Sequence, residues 1–114
     1  MLSILPTLGL LAYIATLITL SGISVLCSSS INAKKVPMQW DFSGAPTWFA
    51  DKQIGLWFPV VIYFLVGTTI IYKARSSSTP SWSDYVALLA CSMLMVGVHY
   101  WHVSKIVSWS QNQP

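Results

Sequence analysis

Two histidines spaced three apart, His99 and His102, enclose Tyr100 and Trp101 and form the one compact group of side chains suited to metal or proton chemistry. On a helix, residues at this spacing lie on adjoining parts of one face, so both rings can approach one ion or one shared partner. The plainer reading is that histidines near a membrane interface hydrogen-bond to backbone, loop or headgroups. A haem would need an axial histidine at depth, and His99 is the sole position for it. Metal binding therefore rests on His99 and His102 alone, and no resident cofactor is expected.

The other side chains exclude most catalytic chemistry. The chain has three acidic residues, so an acid–base enzyme has almost nothing to work with. It contains no nucleophile elbow, no phosphate-binding glycine loop and no zinc-protease motif. Cys27 and Cys91 each stand alone, without the paired spacing of zinc or redox sites. They fall at depths that differ by roughly 20 Å in helices of 1.5 Å rise per residue, too far for a disulfide. A non-enzymatic role is expected.

The elements that must position these residues follow from composition. Of 114 residues, 54% are hydrophobic and 8% charged, whereas a soluble domain carries about 25% charged residues. The six basic residues are scattered, which argues against nucleic acid as a partner. Leu2 to Leu26, Ile54 to Tyr72 and Tyr85 to Ser104 are apolar runs, each near the roughly 20 residues that cross a bilayer. The expected fold is an all-α membrane protein, one domain over 1–114, with three transmembrane helices at about 2–28, 52–73 and 84–107 and an ordered loop at about 29–51. Pro6 suits the first turn of the first helix. Asp51 suits the cap of the second, and Pro59 then falls inside that helix, with Gly55 one turn before it. Ser76 to Pro80 is a polar turn, after which Ser83 or Asp84 caps the third helix. The bulky Val25-Leu26 before Cys27 is unsuited to signal processing, so the first apolar segment is expected to be retained.

The loop between the first two helices carries a pattern of its own, Val36-Pro37-Met38-Gln39-Trp40-Asp41-Phe42-Ser43-Gly44-Ala45-Pro46-Thr47-Trp48. Met38 and Trp40 alternate with Gln39 and Asp41 as a short strand would, and Ser43 to Pro46 reads as a turn. With the Trp57-Phe58-Pro59 helix that follows, this segment resembles the membrane domain of unknown function in bacterial SdpI-type immunity proteins. The likeness covers about residues 20–71 and rests on Pro37, Trp40, Gly44 and Pro59 in order. Many members carry histidine where this chain has Gln39, a side chain that does not titrate. The resemblance implies a bacterial inner-membrane protein concerned with immunity or signalling, its loop periplasmic and its N-terminus cytoplasmic. A plain count of basic residues gives the reverse orientation, since Lys34, Lys35, Lys52 and Lys105 share the loop side and Lys73 and Arg75 lie opposite.

Most of the six tryptophans fall near helix ends, as an interfacial belt does. Trp40 and Trp48 are set apart by their loop. The residues expected to bind a partner are Pro37, Gln39, Trp40, Asp41, Gly44 and Trp48. Ser83, Ala87 and Cys91 recur every four residues as a ridge of small side chains, suited to helix packing within the bundle or against a second protein. Three readings follow. The first is a membrane protein that recognises a partner or toxin through its loop. The second is an accessory subunit of a larger membrane complex, and the third a small metal- or haem-binding protein. Partners expected on any reading are the lipid bilayer and other membrane subunits or further copies of the chain.

Overall fold

The computed structural model describes residues 4–76 and 82–113. In chain order the elements are α1 (Ile4–Ser28), β1 (Lys35–Trp40), β2 (Pro46–Asp51), α2 (Lys52–Ser76) and α3 (Trp82–Gln111). All three helices are long and apolar enough to cross a membrane. Hydrocarbon offers no partner to a backbone N–H or C=O, so apolar runs of this length close their hydrogen bonds internally as helices. The chain is a multi-pass membrane protein by this criterion. The turn expected at Ser76 to Pro80 lies, beyond Ser76, outside the described residues, as does the expected start of the first helix at residue 2.

Two features differ from the sequence expectation. The loop is a β-hairpin in which β1 pairs antiparallel with β2 from Lys35↔Asp51 to Trp40↔Pro46. Its register slips at Met38, directly after a proline that cannot donate to the ladder, and slips back at Thr47, between Gln39↔Trp48 and Trp40↔Pro46. The third helix also begins before its expected cap, so that Ser83 and Asp84 lie in its first turn, where Asp84 pairs with Lys73 at 3.5 Å. It runs on to Gln111 because its last turns are held by the loop side. Ser110 Oγ accepts from the Asn32 amide at 3.2 Å, and the Trp109 ring packs on Phe49 with centroids 5.6 Å apart.

The bundle is sealed by two apolar clusters. One joins Tyr13, Leu20, Val60, Tyr63 and Leu88 from all three helices. The other gathers Ile31, Val36, Leu56, Val103 and Ile106 beneath the hairpin. Along α3 the inward seam runs Tyr85, Leu88, Ser92, His99, Val103, Ile106 and Ser110, at alternating three- and four-residue steps and their sums. The small-residue ridge is offset from this seam: Ser83 and Ala87 are exposed, and Cys91 packs half-buried on the first cluster. Cys27 is a free thiol at the second cluster and Cys91 a free thiol at the first.

Close approach is set by glycine. A Cβ on Gly67 would collide with the edge of the Tyr13 ring, at Cδ2 and Cε2. A Cβ on Gly55 would collide with Val36, so Gly55 is the point on which the hairpin lands. Gly55 also stands one turn before Pro59, but the hairpin is the stricter reason for its lack of a side chain.

Candidate functional site

Pro59 lies inside α2 and has no N–H to offer the carbonyl of Gly55, four residues earlier. An orphaned carbonyl inside a membrane is satisfied by a neighbouring helix, a nearby hydroxyl, ordered water or a local change of helix geometry. Here the His102 ring of α3 comes within reach of the Gly55 backbone. One residue on, the Leu56 carbonyl accepts the Ser24 hydroxyl of α1 at 2.7 Å. Ser24 has a single proton and spends it on Leu56, so its oxygen accepts from His99 Nε2 at 2.9 Å. That assigns the Nε2–H tautomer to His99. Its Nδ1 is buried without a hydrogen-bond partner, although the Leu20 backbone lies near the ring. The two histidines thus serve different helices around one proline, His99 towards α1 and His102 towards α2.

The hairpin lies over this seam. Lys52 Nζ donates to the Ile31 carbonyl at 2.6 Å, and the Lys52 amide donates to the Lys34 carbonyl at 2.8 Å, closing the base of the hairpin. Lys105 of α3 stands 4.5 Å from the Trp40 ring centroid and 5.0 Å from that of Trp101, a cation held between two indoles. At the tip, Asp41 Oδ1 accepts from the Ser43 hydroxyl at 2.6 Å and from the Ser43 and Ala45 amides, each at 2.9 Å. The Ser43 hydroxyl, and after it the Ala45 amide, hold the Asp41 carboxyl below its ordinary value of 3.8. Gly44 has φ +88°, the left-handed conformation that a turn of this kind needs.

Between hairpin and helices is a groove of about 410 Å³. Its aromatic walls are Trp48 of β2, Phe58 of α2 and Trp101 of α3. Met38 and Gln39 of β1 roof it, and His102 supplies its polar side. His102 is 9% exposed, and the groove is where that remaining surface lies.

The residues expected from sequence are thereby sorted. Gln39 and Trp48 meet His102 at the groove. Asp41 does not reach the histidines; it and Gly44 shape the tip. Asp51 is exposed at the end of β2. Pro37 is fully buried and so cannot touch a partner: it fastens the hairpin to the bundle. Trp40 is half-buried with its Nε1 unpartnered, and braces Lys105. Among the described residues no group of three His, Cys, Asp or Glu side chains is placed to hold a metal ion. Sequence reasoning missed Ser24, Met38, Phe58 and Lys105. No signal in the order of residues marked Ser24, because its partners, the Leu56 carbonyl and His99, lie on other helices. Compared with known proteins, the chain matches no family model, no curated protein and no solved structure.

Proposed function

We propose that this protein is a non-enzymatic membrane protein that recognises a partner protein, toxin-like or otherwise, through the exposed side of its hairpin. The observation that carries the reading is a small sheet fastened at its base and still presenting large apolar side chains to the outside. Phe42 at the tip is fully exposed, and Trp48 and Phe49 are 46% and 45% exposed. Surface aromatics on a rigid support lose little side-chain entropy on binding, which is why they anchor interfaces. The likeness of residues 36–46 to the SdpI-type immunity pattern supports the same reading. It also favours a bacterial inner membrane, with the hairpin periplasmic and the N-terminus cytoplasmic.

A photo-crosslinking side chain at position 42 tests recognition in intact cells. A discrete protein adduct, abolished by the further change Trp48→Ala and present when the crosslinker is moved to Thr47, is expected. Adducts to lipid alone at both positions overturn the proposal. Orientation is checked separately by a cysteine at Ser43 in a background without Cys27 and Cys91. An impermeant maleimide should label it before lysis in cells whose outer membrane admits the reagent.

A further inference from the structure

The groove beside His102 shares Trp48 with the recognition surface of the hairpin, but its shape and chemistry describe a different ligand. Phe58, Val98 and Trp101 at its edge are about half exposed on helices that span the membrane, so its mouth is on the bilayer-facing surface. Val98 and Trp101 also line a second hollow of about 300 Å³, which continues along α3 past Gly97 to Leu94 and Met93, one to two turns deeper in the helix. That hollow is almost wholly apolar, and a Cβ at Gly97 would meet nothing within 4 Å. A compartment with hydrogen-bonding groups thus adjoins a shallow apolar strip along one face of α3, open to the bilayer.

The head compartment has no charged side chain in its lining, which disfavours a phosphate headgroup. Its flat walls, Trp48, Phe58 and Trp101, suit a planar ring. Its polar groups are neutral. Gln39 both donates and accepts, and a neutral His102 imidazole carries one donor and one acceptor nitrogen; with the Gly55 backbone in reach of the donor, the acceptor is the one offered to a ligand. The best match is a ring that donates a hydroxyl to His102 and exchanges a second hydrogen bond with Gln39.

The geometry points to a binding site for a quinol, a neutral dihydroxy aromatic ring with one long apolar tail, seated with its ring between Trp48 and Trp101 and its tail along Gly97. Binding alone is proposed, with no electron transfer. The oxidised quinone, which has carbonyls where the quinol has hydroxyls, offers His102 nothing to accept and binds less well.

The test uses the full chain in lipid nanodiscs under anaerobic conditions, with empty nanodiscs as the reference for partitioning. A decyl-tailed hydroquinone is titrated, and bound ligand is quantified by chromatography. Saturable binding of one molecule per chain above the empty discs is expected, at least about fivefold tighter than the matching benzoquinone, the worth of one hydrogen bond. Gln39→Leu, at an exposed strand position, weakens hydroquinone binding about fivefold. Gly97→Leu fills the strip and weakens the tailed ligand about tenfold, leaving tail-less hydroquinone unchanged. Non-saturable uptake, equal affinity for the two redox forms, or displacement of hydroquinone by equimolar dioleoylglycerol overturns the assignment. The last outcome marks a site for a two-chain neutral lipid. None of these variants alters Phe42, so failure here leaves recognition at the hairpin tip to its own test.

Discussion

At the level of Tyr13 and Tyr63, each buried hydroxyl has its partner. Tyr13 donates towards Thr68 Oγ1 at 2.7 Å or the Phe64 carbonyl at 3.2 Å. Tyr63 donates to Ser92 at 2.6 Å, and Ser92 passes its own proton to the Leu88 carbonyl at 2.7 Å. The two rings stack with centroids 5.6 Å apart. Around Pro59 the accounting is open, since His99 Nδ1 and, in the hairpin above, Trp40 Nε1 are buried without partners. A closed network in a low-dielectric interior is a brace, whereas an open one has hydrogen-bonding capacity left over. Among the described residues the spare capacity lies at the end that carries the hairpin and the groove.

The comparison can be broken most strongly at its tight end. Gly67→Leu forces a side chain into the Tyr13 ring and should cost about 3 kcal/mol, the upper end for an overpacked core. Titration with a denaturing detergent, read by helicity, measures it, and a loss near zero would show that the two helices do not meet as described. Ser24→Ala comes next. It strands the His99 N–H and removes the second donor of the Leu56 carbonyl, which keeps the Val60 amide of its own helix, for about 2 kcal/mol by the same assay. Tyr63→Phe should cost only about 1 kcal/mol, because Ser92 keeps its bond to the Leu88 carbonyl.

A sharper test asks whether His102 is present on account of Pro59. Pro59→Ala restores an intrahelical N–H for the Gly55 carbonyl, so His102→Leu should be less harmful in that background than in the native one. A double-mutant cycle should give a coupling of about 1 kcal/mol. Additivity would mean that His102 serves the groove alone.

The smallest effect is at the hairpin tip. Asp41 has a depressed pKa when folded, so its contribution is present above the unfolded value of 3.8 and is lost as pH falls through the lower folded value. The Ser43 and Ala45 amide resonances should shift with a midpoint below 3.8. In Ser43→Ala that midpoint should rise, since the hydroxyl is the largest cause of the depression. At neutral pH the tip should be indifferent to small pH changes.

Part of this was legible along the chain. An apolar run without charge becomes a helix because hydrocarbon leaves the backbone no other partner, so three spans could be read from Leu2 to Ser104 one at a time. The turn at Asp41 to Ala45 is local too, resting on one carboxylate and a glycine at positive φ. By contrast, Pro37 reads as a turn former exposed to partners, yet the strand that carries it lies against Gly55, and that contact joins residues far apart in sequence. The roles of His99 and His102 were hidden for the same reason. Spacing places them on one face of α3, but which helix each ring serves depends on how α1 and α2 pack.

What the sequence by itself determined was the set of membrane helices, the local turn and the proline that opens the hydrogen bonding of α2, because each follows from a residue's own backbone and solvent preferences. Tertiary structure alone decided that His102 reaches the backbone that proline opens, that Ser24 ties α1 to Leu56 and His99, that Lys105 sits between Trp40 and Trp101, and that a groove remains beneath Gln39. Those are contacts between side chains on separate elements, and inside a bilayer, where every lipid-facing residue is equally apolar, nothing in the order of residues says which helix faces will meet.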